Sequence, residues 1–308
     1  MTAFEDMRLL RSFVRIAESG SISAAARAMN TSQPTVSRQL SQLEQDAGVV
    51  LLRRDTHTMS LTAAGHRLLE DARRILNMAE AAAERVREDK EAPQGHLRLV
   101  AVLDSGQWLL PRALAKFRER YPRVTAELHL TNRPSKFAEE GFDCGLLVGP
   151  ITDTSLATRK LGLMTRSLVA APALLARTGV PKSPSDLRSL PYLGILQPHF
   201  FSRDRVSLVR KGQPRSVRLS PVLVLDGMTA LREAAIAGAG MTSSPDWLIA
   251  DAVRRGELVK LLPGWEVSPA GVHIVFPTGH LPSRVRALID FLAEEIPAML
   301  EGSSLKRA

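Results

Sequence analysis

One cysteine, two tyrosines and an aromatic share of 5% leave this chain of 308 residues without the material for several common designs. A lone thiol, Cys144, cannot build an internal disulfide framework and fits a reducing compartment. Free cysteine packs most often as a small hydrophobe, so burial is the expectation for Cys144, with a redox switch as the alternative. No stretch has the uncharged apolar length of a spanning helix. The opening MTAFEDMRLLR carries charge where a secretory signal runs apolar, so a cytoplasmic chain with no membrane partner is expected. Chemistry-bearing motifs are missing as well: there is no GxxxxGKS/T, no HExxH and no GxSxG. Gly238-Ala239-Gly240 starts a dinucleotide pattern, but Ser243 stands where its third glycine belongs. The seven histidines lack metal-ligand spacing beside cysteine. No metal, no cofactor and no catalytic residues are therefore expected, and an enzyme is the weaker class.

Charge is plentiful, and its distribution matters. The 41 Lys+Arg against 32 Asp+Glu leave a net +9, which invites a nucleic-acid reading. Yet residues 1–92 hold 13 of each sign, so the whole excess lies beyond them. A case for DNA must rest on local arrangement. Hydrophobic residues at 44% argue against disorder, and the length points to two domains.

Leu9, Leu10, Phe13, Val14 and Ile16 recur at near-helical spacing and predict a helix over about 7–19. Gly20 ends it, and Ser21 is placed to cap a second helix, Ile22 to Met29. That helix is rich in alanine, which allows a crossing helix to come close. After the turn Asn30-Thr31, Ser32 is an N-cap candidate, and Pro34 falls in the first turn of a third helix, where a missing N–H costs nothing. Val36, Leu40 and Leu43 form its inward stripe. Gln33, Thr35, Ser37, Arg38 and Gln42 are left outside, with groups that match base edges and phosphates. A plain solvated face is the competing reading; the short turn and the small second helix favour a helix-turn-helix. Downstream, GVVLLRRDTHTMSLTAAG reads as strand, turn and strand, with Arg53, Arg54 and His57 at the hairpin. Beside a recognition helix, a basic hairpin is a wing.

From Ala63 to about Glu91 no proline interrupts, and Leu68, Ala72, Ile75, Ala79, Ala82 and Val86 make a heptad seam. Pairing with a second chain and packing on its own domain are the two readings of that seam. KEAPQG, residues 90–95, is a hinge. Beyond it strands and helices alternate: HLRLVAVL, LLPRALAKFRERYP, RVTAELHL, FDCGLLVG, RSLVAAP, and later PVLVLD, MTALREAAIAGAG, GVHIVFP and PSRVRALIDFLAEEIPAML. That alternation predicts an α/β unit with mainly parallel pairing. Arg203, Arg205, Arg210, Lys211, Arg215 and Arg218, with Asp204 as the one counter-charge in the run, read as a solvated hairpin face, with an anion or DNA-backbone contact as the alternative.

The core SQPxxSRQ, the following LExxxG and the LTxAG that opens the next helix resemble, in order and spacing, the winged helix-turn-helix of LysR-type transcriptional regulators. EEGFDCGLLVG, SLATRKLG, LVAAPALLARTGVPKSPSDL, AAIAGAGMTSSPDWLI and GELVKLLPGW resemble the regulatory half of the same family, whose fold is similar to periplasmic solute-binding proteins. The resemblance implies a winged helix-turn-helix domain at 1–62, a linker and dimerisation helix with its hinge at 63–92, and an effector-binding α/β domain at 93–308. Within the last, subdomain I takes about 96–163 and 270–300, and subdomain II about 164–269. It implies DNA contacts by Ser23, Ser32, Gln33, Pro34, Thr35, Ser37, Arg38 and Gln42, with Arg54 as the wing arginine. It implies effector contacts by Asp104, Ser105, Asn132, Gln197, His199 and Asp226, of which Asp104, Ser105 and Asp226 are equally placed as N-caps. Promoter DNA, a small-molecule effector and a second copy of the chain are the implied partners, with a homotetramer and contact to RNA polymerase as further ones. Leu147 replaces a frequent arginine of the family and Val102 a common proline, so an anionic effector is not assumed from the resemblance.

Overall fold

A computed structural model describes residues 6–54, 59–86, 92–133, 137, 140–196, 203–279 and 281–302. The chain divides near residue 92 into two compact units. The first holds α1 (Met7–Ser19), α2 (Ile22–Ala28), α3 (Gln33–Ala47), β1 (Leu52–Arg54), β2 (Met59–Leu61) and α4 (Ala63–Val86). Local chemistry sets each boundary. The Asp6 carboxylate accepts from the Arg8 N–H at 2.9 Å and caps α1, and Gly20 closes it in the left-handed region at φ 66°. Ser21 accepts from Ala24 N–H to cap α2, and Ser32 accepts from Thr35 N–H to cap α3, with Pro34 in the first turn.

The apolar stripes of these helices meet in one core. Leu10, Phe13, Ile16, Ala25, Val36 and Leu43 are buried there, and α4 adds Leu69 and Ala72. Part of the heptad seam therefore packs on its own unit. Ala72 is buried in its own unit, and Leu68 and Ile75 pack against the same core. Only the seam beyond Ile75 stays outside it, and the side chain of Val86, like residues 87–91, lies outside the described residues.

Three motif residues explain how the hairpin joins the helices. Glu44 accepts from the N–H groups of Leu51 and Leu52 at 2.8 and 3.1 Å, so the carboxylate of LExxxG anchors the chain leaving α3. Thr62 donates to the Val50 carbonyl and accepts from Gly65 N–H, capping α4 while pinning it to the same segment. A Cβ on Gly65 would fall 2.1 Å from the Leu51 carbonyl oxygen, which is why LTxAG needs glycine.

The second unit runs β3 (Gly95–Ala101), α5 (Leu103–Arg120), β4 (Val124–Leu130), β5 (Cys144–Val148) and β6 (Leu156–Met164). Then come β7 (Arg166–Ala170), α6 (Pro172–Thr178), a 3-10 turn at Pro184–Ser189, β8 (Tyr192–Ile195), β9 (Arg205–Arg210) and β10 (Gln213–Arg218). It ends with β11 (Pro221–Leu225), α7 (Met228–Ile236), β12 (Thr242–Pro245), α8 (Asp246–Arg254), β13 (Val259–Lys260), β14 (Glu266–Val267), β15 (Ala270–Pro277) and α9 (Ser283–Gly302). One sheet has the order β4-β3-β5-β15-β6; the strands from β7 to β14 form the smaller sheets β12-β7-β13, β11-β8 and β10-β9-β14.

Pairing departs from the mainly parallel expectation. Within this unit β3–β4, β3–β5 and β8–β11 are parallel, while six other pairs among the described strands are antiparallel. The reason is topological. The chain leaves the five-stranded sheet after β6 and returns as β15, which inserts between β5 and β6 running against both. The β9–β10 hairpin turns on two residues, Lys211 and Gly212 at φ 50° and 78°, the geometry of a tight antiparallel turn.

Candidate nucleic-acid interface and ligand chamber

The outer face of α3 carries the residues predicted for DNA. Gln33, Pro34, Arg38 and Gln42 are exposed and Thr35 and Ser37 partly so, while Val36, Leu40 and Leu43 are buried beneath them. Ser23 of α2 donates to Gln33 Oε1 at 3.1 Å, which ties the two helices at the start of the recognition face. That bond leaves the Gln33 amide hydrogens for another acceptor. Thr35 and Ser32 share a hydroxyl contact at 2.8 Å, and Gln42 donates to Asp46 at 2.7 Å. From beneath, Gln39 bonds the buried Ser12 hydroxyl of α1, fixing the rotation of α3. Arg54 closes β1; its side chain lies outside the described residues, as do His57, Gln197 and His199.

Of the residues predicted for effector contact, Asp104, Ser105, Asn132 and Asp226 lie among the described residues and cluster around the starts of α5 and α7. Helix α5 starts directly after β3, so Asp104 and Ser105 sit in its first turn, buried. Neither caps α5, whose N-cap position is Val102 with no side-chain bond. Asp104 instead accepts from the N–H groups of Met228 and Thr229 at 2.6 and 3.2 Å, and from the Thr229 hydroxyl at 2.6 Å. It caps α7 from a distant part of the chain. Ser105 faces the Met164 sulfur at 3.8 Å. Asn132 accepts from Leu103 N–H and donates to Asp226 at 3.1 Å, and the N-cap position of α7 is Gly227 rather than Asp226. These residues thus form a hydrogen-bonded cluster joining α5, the end of β4 and the start of α7. Nearby, Trp108 of α5 stacks on Trp247 of α8, ring centres 4.6 Å apart and planes at 2°.

A cavity of about 410 Å³ opens on the other side of Met228. Arg166, Tyr192, Arg205, Ser243 and Ser268 are among its polar groups, with Ser207 and Thr242, and Leu193, Ile195 and Leu231 form much of its apolar wall. That volume falls in the usual range for small-molecule sites. None of Asp104, Ser105, Asn132 and Asp226 lines it. The sequence reading missed Arg166, Tyr192 and Ser243. One signal was present: TSSP forms a strand in which every residue is buried, and hydroxyls in a buried strand call for a partner.

Residues 90–297 match the LysR substrate binding domain, and residues 7–66 match the bacterial regulatory helix-turn-helix protein, lysR family. The chain belongs to the LysR family. Among similar LysR-type regulators, the HTH-type transcriptional regulator PtxR of Pseudomonas aeruginosa is 31% identical over 288 residues, covering 93% of this chain and 92% of that protein. The structure of CrgA, a LysR-type regulator from Neisseria meningitidis, is 30% identical with a TM-score of 0.57, covering 94% of this chain and 98% of that one. Full-length AphB, a virulence activator of Vibrio cholerae, shares the fold at 24% identity and a TM-score of 0.59, over 94% and 99% of the two chains.

Membership makes the chain a DNA-binding transcriptional regulator with an effector-binding domain, and assigns the helix-turn-helix and the α/β unit to those two tasks. The LysR-type relatives are regulators rather than enzymes. Among the described residues no helix is long and apolar enough to cross a membrane.

Proposed function

We propose that this regulator reads an interrupted two-fold promoter site as a homodimer paired through α4, the dimers associating further into a tetramer. The observation that carries this reading is the exposed polar face of α3, held over the buried Val36, Leu40 and Leu43. Gln33, with Pro34 shaping its turn, reaches base edges in the major groove, while Ser23, Ser32, Thr35, Ser37, Arg38 and Gln42 meet bases and backbone around it. Arg54 of the wing takes the adjacent minor groove. Support for pairing comes from α4, where Met78 is a large apolar side chain left 72% exposed. The domain limits 1–62, 63–92 and 93–308 follow from this division of labour, and the α/β domain works as two subdomains that exchange near residues 163 and 269. The cavity beside Met228 is the effector chamber, and the Asp104–Asn132–Asp226 cluster joins the subdomains at its flank. The protein acts in the cytoplasm without catalysis, and its DNA-bound form touches RNA polymerase.

Gel shifts on the DNA upstream of its own coding region test the interface. Arg38→Ala should weaken specific and unrelated duplexes alike, as loss of a phosphate contact does. Gln33→Ala should flatten discrimination between sites by about 1–3 kcal/mol. Unchanged binding in both variants would remove the α3 face from the interface.

A further inference from the structure

The charged side chains that line the effector chamber among the described residues are of one sign, with the Asp204 carboxylate near enough to act on the lining Tyr192. Arg166 and Arg205 line it, and no aspartate or glutamate is among its described lining residues. Arg166 opens β7, half-buried, and its Nη2 donates to the Ser243 carbonyl at 3.5 Å. Burial pulls its guanidinium down to about 10, since removing the cation from water disfavours it. An anion seated beside it would act in the opposite direction. Ser243 is buried, and its Oγ finds no hydrogen-bond partner among the described residues. A buried hydroxyl in that condition lacks what a ligand acceptor would supply. Tyr192 is buried at the start of β8, and that burial raises its phenol, keeping the ring a neutral donor near pH 7. Leu193, Ile195 and Leu231 also line the chamber and have nothing to offer an inorganic ion.

We propose that the chamber selects a small organic carboxylate. Its two oxygens meet the planar guanidinium of Arg166 and the hydroxyl of Ser243, and its apolar body lies against Leu193, Ile195 and Leu231. The family resemblance left an anion unassumed because Leu147 replaces an arginine. Leu147 does not line this chamber, and the cations come from β7 and β9 instead. The inference rests on reading this cavity as the effector site.

The test uses full-length protein, thermal shift and calorimetry. Benzoate, phenylacetate and hexanoate are compared with benzamide, phenylacetamide and hexanamide, with inorganic phosphate at equal ionic strength. At least one acid should raise the melting temperature at millimolar concentration while its amide does not. Arg166→Gln should weaken that acid roughly 10- to 100-fold, and Ser243→Ala about 3- to 10-fold. No response to any acid, equal binding of the amide, equal binding of phosphate, or full affinity in Arg166→Gln overturns the proposal. Should Arg166→Gln fail to fold, Ser243→Ala decides it by the same comparison, full affinity there overturning the proposal. Wild-type binding to the upstream duplex is measured in parallel. Duplex binding without any acid response sinks the carboxylate and leaves the regulator standing, whereas loss of duplex binding counts against the regulator reading itself.

Discussion

Gln33 begins its helix with one end of its amide engaged by Ser23, so the orientation of this exposed side chain is set by a neighbouring helix. Glu127 shows the same dependence on neighbours inside the second unit. The His96 ring at 3.4 Å lowers its carboxyl to about 2 from an ordinary 4.5, outweighing a burial that would raise it, and His129 and Arg98 add to the effect. A folded-state value below the unfolded one stabilises the fold above the unfolded value, and that contribution drains away as pH falls from about 4.5 toward about 2. Melting curves at pH 7 and pH 3.5 should therefore show a larger loss for wild type than for Glu127→Gln; parallel losses would exclude the coupling. Cys144 sits in β5, fully buried, and both burial and the Asp143 charge push its thiol up, out of reach of neutral pH. Native protein should resist a thiol reagent that titrates one group per chain in denaturant. Rapid native labelling would revive the redox reading.

At the scale of elements, the sequence was most legible where a short motif has a local physical cause. The caps Ser21 and Ser32, the first-turn Pro34 and the inward Val36, Leu40 and Leu43 all stand where spacing placed them. The roles of Glu44, Thr62 and Gly65 were hidden, because each acts on a backbone segment that only folding brings near. Gly65→Ala should cost roughly 1–3 kcal/mol by forcing α4 away from the Leu51 carbonyl. A denaturant midpoint unchanged from wild type would contradict that packing. The linker seam was half legible: its period was correct, but Ala72 proved to belong to the core of its own unit. Periodicity shows that a face is apolar and is silent on what covers it.

For the whole molecule, the first unit has a hydrophobic core of its own, drawn from α1 through α4, so residues 1–90 should fold alone. Without the second unit to support pairing, that fragment should bind the upstream duplex roughly 10²-fold or more weakly, because linking two reading heads supplies the avidity. Equal affinity of fragment and full chain in a titration would refute pairing as the source. The second unit was legible in its class but not in its pairing. Alternation of strands and helices identified an α/β class but could not show β15 returning between β5 and β6. Nor could it show that Asp104 caps α7, more than a hundred residues away, rather than its own helix.

By itself the sequence determined the helix-turn-helix, its outward residues and the α/β class, because caps, turns and apolar periods act over a few residues. Tertiary structure alone decided which buried polar groups share a chamber. Arg166, Tyr192 and Ser243 converge there from three strands far apart in the chain, and no local spacing encodes a meeting made by sheets packing together.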